Sequence, residues 1–339
     1  MQPYEHGGKY YDKTIKYDLS ENINPLGMPS EVKHVISSCP EAFSRYPDAS
    51  YIMLRSKLAE IHGLETDNIC LGNGADELIW KIMQALKPCC VLTLAPTFSE
   101  YSRCAKSLSA SVSEYVLKAE DDFRLGDDFL GCMEKAYDMI VLCNPNNPTG
   151  KLIERDLLIR ILARAKEYKT TVVIDESFLD FTGEKSLADD INEYDNLIII
   201  RGFTKIYGMA GIRLGYSISS AEIAKEIKNY GPLWNVSAVA MLAGEAALSC
   251  KDWITRTREY VQLEKKYIMA NIPGVIDSGA NFMLIKSRED VADKLYEQGI
   301  AVRKCHNFSG LDASYIRIGV KDHECNEAFV NAYKEIING

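Results

Sequence analysis

The chain has 339 residues, of which 47% are hydrophobic, and it carries a formal net charge of −9. A chain of this length and hydrophobic content can bury a large core, and we expect one large and one small domain. The negative charge argues against a general nucleic-acid-binding or anionic-membrane surface, so a local cationic pocket must hold any phosphate-bearing ligand.

Cysteine usage and the start of the chain predict a reducing cytoplasm. The chain has ten cysteines, but they form no CxxC pair and no paired spacing of a secreted framework. Most lie in apolar strand-like runs, where reduced cysteine behaves as a small core residue. The first thirty residues contain no apolar signal core, and no run approaches the roughly 18 apolar residues of a membrane span. Nothing in the sequence indicates a metal site.

The first 29 residues are dense in Gly, Pro and Asn and show no long periodic pattern. We therefore expect residues 1–29 to form an extended arm with turns, which either frays or lines a site. Helical spacing follows over Ser30–Cys39 and Ala49–His62, and Ser30 and Ser50 are candidate caps for the two helix starts.

A short strand at Asn68–Leu71 runs into a glycine-rich turn, Gly72-Asn-Gly-Ala-Asp-Glu77, and a helix is predicted from there to about Leu86. A strand, a glycine turn and a helix start together place free backbone N–H groups and the helix dipole against a phosphate. By itself such a turn is weak evidence, because many turns need glycine only for backbone geometry.

Apolar strands then alternate with helical segments. The predicted strands are Val91–Ala95, Val112–Val116, Met139–Cys143, Thr171–Asp175 and Leu197–Ile200, and the predicted helices between them are Thr97–Leu108 and Glu154–Tyr168. This alternation predicts an α/β fold with a mostly parallel sheet covered on both faces. Ligands of such sheets lie beyond the carboxyl ends of the strands, where Gly74, Pro96, Asn144, Asp175 and Lys205 are all expected to converge.

The last third of the chain predicts a smaller α+β domain. Residues 221 to about 271 are helical in pattern, and short strands and helices alternate after them. The predicted strands are Phe282–Lys286, Ala301–Arg303 and Tyr315–Val320, and the predicted helices are Arg288–Gln298 and His323–Ile337. We place the large domain at residues 30–245 and the small domain at 246–339, with the arm packed against the latter.

Lys205 lies in a polar, glycine-broken segment between the apolar runs Leu197–Ile200 and Ile212–Tyr216. A lysine must lose its proton to act as a nucleophile, and partial burial with a nearby cation lowers its pKa from about 10.4. Arg213 can supply that cation and can also grip a phosphate dianion. Taken alone, a lysine between two strands is usually a surface residue.

The segment RGFTKIYGMAGIRLGY at 201–216 resembles the lysine-bearing loop of fold-type I enzymes that use pyridoxal phosphate (PLP). In those enzymes a phosphate-binding arginine follows the lysine after eight positions, as Arg213 follows Lys205. The run NPNNPTG at 144–150 adds a fairly specific motif, since a plain turn does not need two Asn-Pro steps. Further matching residues, described next, occur along the chain in the same order as in this family. The resemblance therefore covers almost the whole chain and implies PLP as the cofactor.

The resemblance also implies a role for each matching residue. Asp175 would pair with the ring nitrogen, Asn147 would donate to the phenolate oxygen and Phe98 would stack on the ring. Ala75 and Asp76 would offer backbone N–H groups to the cofactor phosphate, with Thr204 and Arg213 completing the cup. Taken alone, Asp175 could equally cap a helix, and Phe98 could be a core aromatic residue.

Two further positions carry implied roles. Tyr46 resembles a tyrosine that reaches the cofactor phosphate of the neighbouring subunit, which implies a two-fold homodimer. Arg317 matches the position that holds the substrate carboxylate as a bidentate partner. Taken alone, Arg317 would be assigned to a strand surface.

Two groups within the family compete, histidinol-phosphate aminotransferases and threonine-phosphate decarboxylases of cobalamin synthesis. The HGG at 6–8, the NINPLG at 22–27 and the run RKCHNFSGL at 303–311 resemble the decarboxylases. Phe178 stands where the aminotransferases carry a tyrosine. His6, Gly8 and Asn22, together with Asn147 and Arg303, would then line the substrate end. The implied reaction is decarboxylation of O-phospho-L-threonine or O-phospho-L-serine to an amino-alcohol phosphate.

Other hypotheses stay open at this point. A histidinol-phosphate-type aminotransferase would need a keto-acid co-substrate. A non-catalytic PLP-binding module, as in regulators fused to a DNA-binding segment, is disfavoured by the intact Lys205 and by the lack of a preceding helix-turn-helix. Two departures from the decarboxylase pattern are Gly202, where relatives often have Ser or Thr, and Glu21, a carboxylate near the proposed substrate.

Overall fold

The computed structural model describes residues 7–8, 14–133 and 137–338. In chain order the described helices are α1 (Ser30–Ser38), α2 (Ile52–His62), α3 (Gly74–Leu86), α4 (Glu100–Ser107), α5 (Phe129–Cys132), α6 (Arg155–Glu167), α7 (Phe203–Ile206), α8 (Ala221–Asn229), α9 (Ala238–Leu248), α10 (Trp253–Asn271), α11 (Val291–Glu297) and α12 (His323–Asn338). None of them is both long and apolar enough to cross a membrane.

The described strands form a large sheet, a smaller sheet and one isolated pair. They are β1 (Tyr17–Asp18), β2 (Ile69–Gly72), β3 (Cys90–Ala95), β4 (Ser111–Val116), β5 (Met139–Cys143), β6 (Thr171–Asp175), β7 (Leu197–Gly202), β8 (Gly215–Ile218), β9 (Val275–Ile276), β10 (Phe282–Lys286), β11 (Ile300–Ala301), β12 (Arg303–Lys304) and β13 (Tyr315–Gly319).

The large sheet has the strand order β2-β8-β7-β6-β5-β3-β4 over the described residues. Strands β4, β3, β5, β6 and β7 run parallel to one another, whereas β8 is antiparallel to both β7 and β2. The α/β fold with a mostly parallel central sheet is therefore confirmed. The strand β8 is the exception, since it returns directly from β7 through the segment that carries Lys205.

Alternate residues of the central strands enter two different cores. On β6, Val172 and Ile174 face the larger core, while Val173 packs with α3 and α4 on the other side. Because successive side chains of a strand point to opposite faces, a strand covered on both sides must be apolar throughout. This burial explains why β5, β6 and β7 read as unbroken apolar runs.

The smaller sheet has the order β12-β13-β10-β9 and is antiparallel throughout. The first described part of the arm packs beside it, because β1 pairs with β11 in parallel register and the Gly319 amide donates to the Leu19 carbonyl at 2.7 Å. Helix α9 runs across residue 245, so the predicted domain boundary falls inside a helix. The division at 245 stays a prediction.

Three local expectations were wrong. Lys205 lies in the short helix α7 rather than in a loop, and the helix predicted from Thr97 begins at Glu100. Neither predicted serine caps its helix: Ser30 is the first residue of α1, and the Ile52 amide at the start of α2 donates to Asp48 Oδ2 at 3.0 Å. The Ser50 hydroxyl donates to that same carboxylate, so the acidic side chain takes the capping role.

Candidate active site

A cavity of about 260 Å³ opens at the carboxyl ends of β5 and β6, between the N-terminus of α3, the helix α7, the arm and the strands β12 and β13. Most of the predicted site residues line it, namely Asn22, Ala75, Asp76, Phe98, Asn147, Asp175, Thr204, Lys205, Arg213, Arg303 and Arg317. They come from eight separate stretches of the chain. Of the five residues expected to converge at the strand ends, Asp175 and Lys205 lie in the cavity wall, and Gly74 and Asn144 each directly adjoin a wall residue.

Two predicted residues, Gly8 and Tyr46, lie outside the cavity wall. A third, His6, is outside the described residues, and its role stays a prediction. Gly8 is beside the cavity rather than in its wall: its amide donates to Ser20 Oγ at 2.7 Å, and a side chain there would meet the Glu21 carboxylate. Tyr46 is 80% exposed and stacks on Trp234, with 4.3 Å between ring centroids. It is absent from the wall of its own chain's cavity.

Lys205 projects from the short helix α7 into the cavity. Burial lowers its pKa to about 8, and the Arg317 and Arg213 guanidinium groups act in the same direction, whereas the Glu21 carboxylate opposes them. The ammonium lies 6.0 Å from the centre of the Phe178 ring. A lysine with such a pKa is a neutral amine for an appreciable fraction of the time near neutral pH, which a nucleophile or a general base requires.

The end of α7 is held by the arm and by α10. The Ile206 carbonyl accepts hydrogen bonds from Asn24 Nδ2 at 2.5 Å and from the Trp253 indole at 2.9 Å. The Asn24 amide also donates to the Lys205 carbonyl at 3.2 Å. Last-turn carbonyls have no partner within a helix, so these bonds satisfy them and fix the backbone that carries Lys205.

Asp175 ends strand β6 and is buried, with 4% of its surface exposed. Its Oδ2 accepts a hydrogen bond from the Tyr101 hydroxyl at 2.7 Å, and its Oδ1 accepts from the Ser177 amide at 2.9 Å. Burial raises the pKa of Asp175, and these hydrogen bonds together with the Lys205 charge counteract that rise. The site therefore suits a cationic partner for this carboxylate.

The motif at 144–150 connects two walls of the cavity. Asn146 donates to the Pro96 carbonyl at 2.8 Å and accepts from Thr97 Oγ1 at 2.7 Å, which fixes the segment leading to Phe98. The next residue, Asn147, accepts from Arg317 Nη1 at 2.6 Å through its carboxamide oxygen. Because its oxygen is occupied by Arg317, the carboxamide NH2 group of Asn147 is turned away from that arginine and can donate elsewhere.

The N-terminus of α3 forms an anion-binding corner with Arg213. Arg213 has a left-handed backbone with φ of +61°, and its guanidinium donates to the Asn73 carbonyl just before the helix. A Cβ at Gly74 would stand 2.4 Å from Arg213 Nη2, so only glycine permits this approach. Thr204, 6% exposed, lies in the same cavity wall. Helix N–H groups, a hydroxyl and a guanidinium together suit a phosphate.

Arg303 and Arg317 meet the cavity at its other end. They are directly opposed in the register of β12 and β13. Arg317 donates to Asn147 and to the Ser20 carbonyl, and its guanidinium carbon lies 5.5 Å from the centre of the Phe282 ring. Arg303 donates to Asn307 and to the Lys304 carbonyl and lies 5.2 Å from the Phe308 ring. Two buried guanidinium groups side by side in a cavity wall suit a ligand with two anionic groups.

Sequence reasoning missed Tyr101, Cys143, Ser177 and Ser20, which also line the cavity. A signal existed for Tyr101, because it follows Phe98 by three positions and so lies on the same side of a helical turn. The signal for Ser177 was only its closeness in sequence to Asp175, whose carboxylate accepts a hydrogen bond from the Ser177 amide. Among the described residues no group of three His, Cys, Asp or Glu side chains could hold a metal ion.

The sequence matches the model of the family described as aminotransferase class I and II over residues 14–332. The threonine-phosphate decarboxylase of Salmonella typhimurium is 34% identical over 95% of this chain and 91% of its own length. Histidinol-phosphate aminotransferase 2 of Archaeoglobus fulgidus is also 34% identical, over 99% of this chain and 98% of its own length.

Solved structures agree with this similarity. The histidinol-phosphate aminotransferase of Clostridium acetobutylicum superposes with a TM-score of 0.88 at 33% identity, covering 94% of this chain and 98% of that one. The histidinol-phosphate aminotransferase of Sinorhizobium meliloti, solved in complex with pyridoxal 5'-phosphate, has a TM-score of 0.85 at 22% identity and covers 96% of this chain and 91% of that one.

Proposed function

This chain belongs to the aminotransferase class I and II family, and we propose that it removes the α-carboxylate of O-phospho-L-threonine or O-phospho-L-serine. The protein is a PLP-dependent enzyme. The proposed products are carbon dioxide and an amino-alcohol phosphate, of the kind used in assembling the nucleotide loop of cobamides. The rest of the cavity then has to bind a substrate with a carboxylate at one position and a phosphate at another.

The donors in the cavity fit PLP. The corner formed by the α3 N-terminus, Thr204 and Arg213 suits the phosphate, and the buried Asp175 suits a protonated ring nitrogen. Asn147 would donate to the phenolate oxygen, Phe98 would contact the ring face, and Lys205 would hold the aldehyde carbon. When bound, PLP supplies an electron sink for the pair released as a bond at the substrate Cα breaks.

The opposed pair Arg303 and Arg317 is the observation that carries the proposed substrate class, a molecule with two anionic groups. Neither guanidinium belongs to the corner around Arg213 and both line the cavity, so we assign the two arginines to the substrate rather than to the cofactor phosphate. A phospho-amino acid carries two anionic groups, and histidinol phosphate carries only one. We assign the carboxylate to Arg317, which Asn147 and the Ser20 carbonyl hold in place, and the phosphate to Arg303 with Asn22 and the arm.

Lys205 would move protons at the substrate Cα. Its pKa of about 8 lets it both release and accept a proton near neutral pH, since neither form is strongly disfavoured. Decarboxylation would require that a proton replaces carbon dioxide on Cα, whereas transamination would require that the proton lost from Cα is delivered to the former aldehyde carbon of the cofactor. Phe178, which packs edge-on against Phe282 with 4.9 Å between centroids, offers no hydroxyl to bias this balance.

Transamination of a histidinol-phosphate-like substrate is the second candidate function. It is favoured by the 34% identity to the Archaeoglobus fulgidus aminotransferase over almost the full chain. A dicarboxylic keto-acid co-substrate would also use two arginines, so the arginine pair alone does not separate the two reactions. The requirement for a keto acid does separate them.

The deciding experiment identifies the products by mass spectrometry and measures carbon dioxide release from substrates labelled in the carboxylate carbon. The purified enzyme with PLP is given phosphothreonine, phosphoserine, threonine or histidinol phosphate, each with and without 2-oxoglutarate. The proposal expects carbon dioxide and amino-alcohol phosphate from a phospho-amino acid without keto acid. Turnover that appears only with 2-oxoglutarate, with no carbon dioxide from the phospho-amino acids, would replace it with the aminotransferase function.

We further propose that the active unit is a homodimer in which Tyr46 reaches the partner's cofactor phosphate. Tyr46, Trp234 and Leu233 form an exposed apolar patch, with Leu233 64% exposed. Tyr46→Phe should lower cofactor retention, although Tyr46 is not in its own chain's cavity. Co-expression with Lys205→Ala chains should restore retention at the intact lysine of each mixed dimer. A monomer in solution, or no restoration in mixed dimers, would contradict shared sites.

A further inference from the structure

We propose that Tyr101 is a positioning residue for the cofactor ring nitrogen, acting through the carboxylate of Asp175. Its hydroxyl donates to Asp175 Oδ2 and keeps that side chain ionised and fixed where a protonated ring nitrogen needs it. The inference rests on the cofactor and on the position of Asp175. It is independent of whether the enzyme decarboxylates or transaminates its substrate.

The two carboxylate oxygens of Asp175 accept hydrogen bonds from two different parts of the fold. Tyr101 lies on α4, is completely buried, and its hydroxyl is 2.7 Å from Asp175 Oδ2. The Ser177 amide, on the chain just after β6, occupies Oδ1 at 2.9 Å. A carboxylate bonded on both oxygens cannot rotate freely about its last torsion. Its remaining lone pairs therefore keep a constant direction in the cavity.

The surrounding groups make the Tyr101 hydroxyl a permanent donor. The titratable groups facing Asp175 from the packed elements are the Tyr101 hydroxyl on α4, the Cys143 thiol on β5 and the Lys205 amine on α7. Burial raises the pKa values of both Tyr101 and Cys143 well above their ordinary ranges, so both stay protonated. A neutral phenol beside a buried carboxylate can only donate, and the bond stabilises the charged form of the acid.

Tyr101 also connects the Asp175 carboxylate to Phe98, the residue proposed to stack on the cofactor ring. Its ring meets Phe98 edge-on, with 5.6 Å between centroids and 81° between planes. Tyr101→Phe removes the hydroxyl and keeps this ring contact. The variant therefore separates a role through Asp175 from a role in packing.

The test compares PLP with an analogue whose ring nitrogen is replaced by a C–H group, 1-deazapyridoxal phosphate. Dissociation constants are measured on the full-length protein stripped of cofactor, without substrate. Tyr101→Phe should weaken PLP about tenfold to a hundredfold, the range expected for one lost hydrogen bond to a charged group. Binding of the analogue should change less than about twofold, because it has no ring nitrogen to pair with Asp175.

Tyr115→Phe is the matched control. Its hydroxyl donates to Asp128 at 2.6 Å, the same chemistry on β4 and away from the cavity. This control should bind both compounds like the wild type. Equal weakening of PLP and the analogue in Tyr101→Phe would show a packing role only, and unchanged PLP binding would show no role. Either result overturns the proposal.

A pH series adds an independent readout. Without the Tyr101 hydroxyl the pKa of Asp175 rises, so the empty variant binds a proton that it must release when the ring nitrogen enters. The ratio of the PLP dissociation constants, variant over wild type, should therefore fall as pH rises from 6 to 9. Titration of the cofactor phosphate affects both proteins and cancels in this ratio. A ratio that does not change with pH would contradict the proposed coupling.

Discussion

Asn147 accepts a 2.6 Å hydrogen bond from Arg317, and this contact joins the cofactor wall of the cavity to its substrate wall. Arg317 lies on β13 of the smaller sheet, and Asn147 follows β5 of the large sheet. The residue proposed to bind the substrate carboxylate therefore orients the residue proposed to bind the cofactor phenolate. A change at Arg317 should affect both groups.

The two arginines should fail differently when each is replaced by lysine, which keeps the charge but loses the planar pair of donors. Arg317→Lys should lower kcat/KM about a hundredfold for every α-amino acid tested, because the carboxylate is common to all. Arg303→Lys should lower kcat/KM at least about tenfold for phosphothreonine and little for threonine. Steady-state kinetics with phosphothreonine and with threonine measure kcat/KM for each variant. Identical losses in the two variants would contradict the assignment of separate anions.

The rate of PLP incorporation into cofactor-free protein should rise with pH through about 8 and then level off. Incorporation needs the neutral amine of Lys205, and its pKa of about 8 sets the midpoint. Arg317 lowers that pKa, so Arg317→Met should move the midpoint to higher pH. Glu21 raises it, so Glu21→Gln should move the midpoint to lower pH. Stopped-flow absorbance measures the rates, and shifts in the same direction would contradict the electrostatic assignment.

Lys205→Ala should abolish turnover and the absorbance of covalently held cofactor, because Lys205 is the one lysine that lines the cavity among the described residues. Lys321→Ala is the control, since Lys321 influences the Lys205 pKa but lies outside that wall. It should keep both turnover and absorbance. Mass spectrometry after borohydride reduction locates the attachment site. Cofactor found on another lysine in the wild-type protein would contradict the mechanism.

Phe178→Tyr should increase the share of keto-acid-dependent turnover relative to carbon dioxide release. The added hydroxyl would offer a donor to the cofactor phenolate at the position where the aminotransferases carry a tyrosine. Phe282→Tyr is the control, because Phe282 contacts the Phe178 ring and is fully buried without lining the cavity. The ratio of the two products, measured with and without 2-oxoglutarate, should change in the first variant only.

Asn24→Ala should destabilise the protein by about 1–3 kcal/mol, because it leaves buried polar groups without partners. Asn24 is 3% exposed and donates to both the Ile206 carbonyl and Thr257 Oγ1. Asn271→Ala, which removes a half-buried carboxamide at the end of α10, should cost less than about 1 kcal/mol. Urea unfolding at equal PLP saturation measures both. Equal losses would contradict a special role of the arm.

The sequence was enough to place the site because five of its segments end parallel strands or follow them. Asp175 closes an apolar run, and Asn147 and Lys205 each follow one, so a common sheet edge was a direct consequence. The antiparallel course of β8 was not predictable in this way. Its short apolar run has no periodicity that distinguishes the two directions.

The remaining differences depend on side-chain positions in three dimensions. The Tyr101 hydroxyl reaches Asp175 only because α4 packs across the face of β6, a relationship between residues 74 positions apart. Serine and aspartate both cap helices, so the sequence alone does not distinguish Ser50 from Asp48 as the cap of α2. Tyr51, the residue before α2, has a left-handed backbone conformation. The Asp48 carboxylate, rather than the Ser50 hydroxyl, therefore lies within hydrogen-bonding distance of the Ile52 amide.

The pairing of β1 with β11 has a consequence for synthesis on the ribosome. Residues 17–22 leave the ribosome almost 300 residues before their partners at Ile300–Ala301 and Gly319, by the numbering of the chain. Contacts so far apart along the chain form late and slowly. Ser20 and Asn22 can therefore complete the substrate pocket only after residues 300–319 have been made. A nascent chain truncated before residue 300 should lack catalytic competence even if the large sheet has already folded.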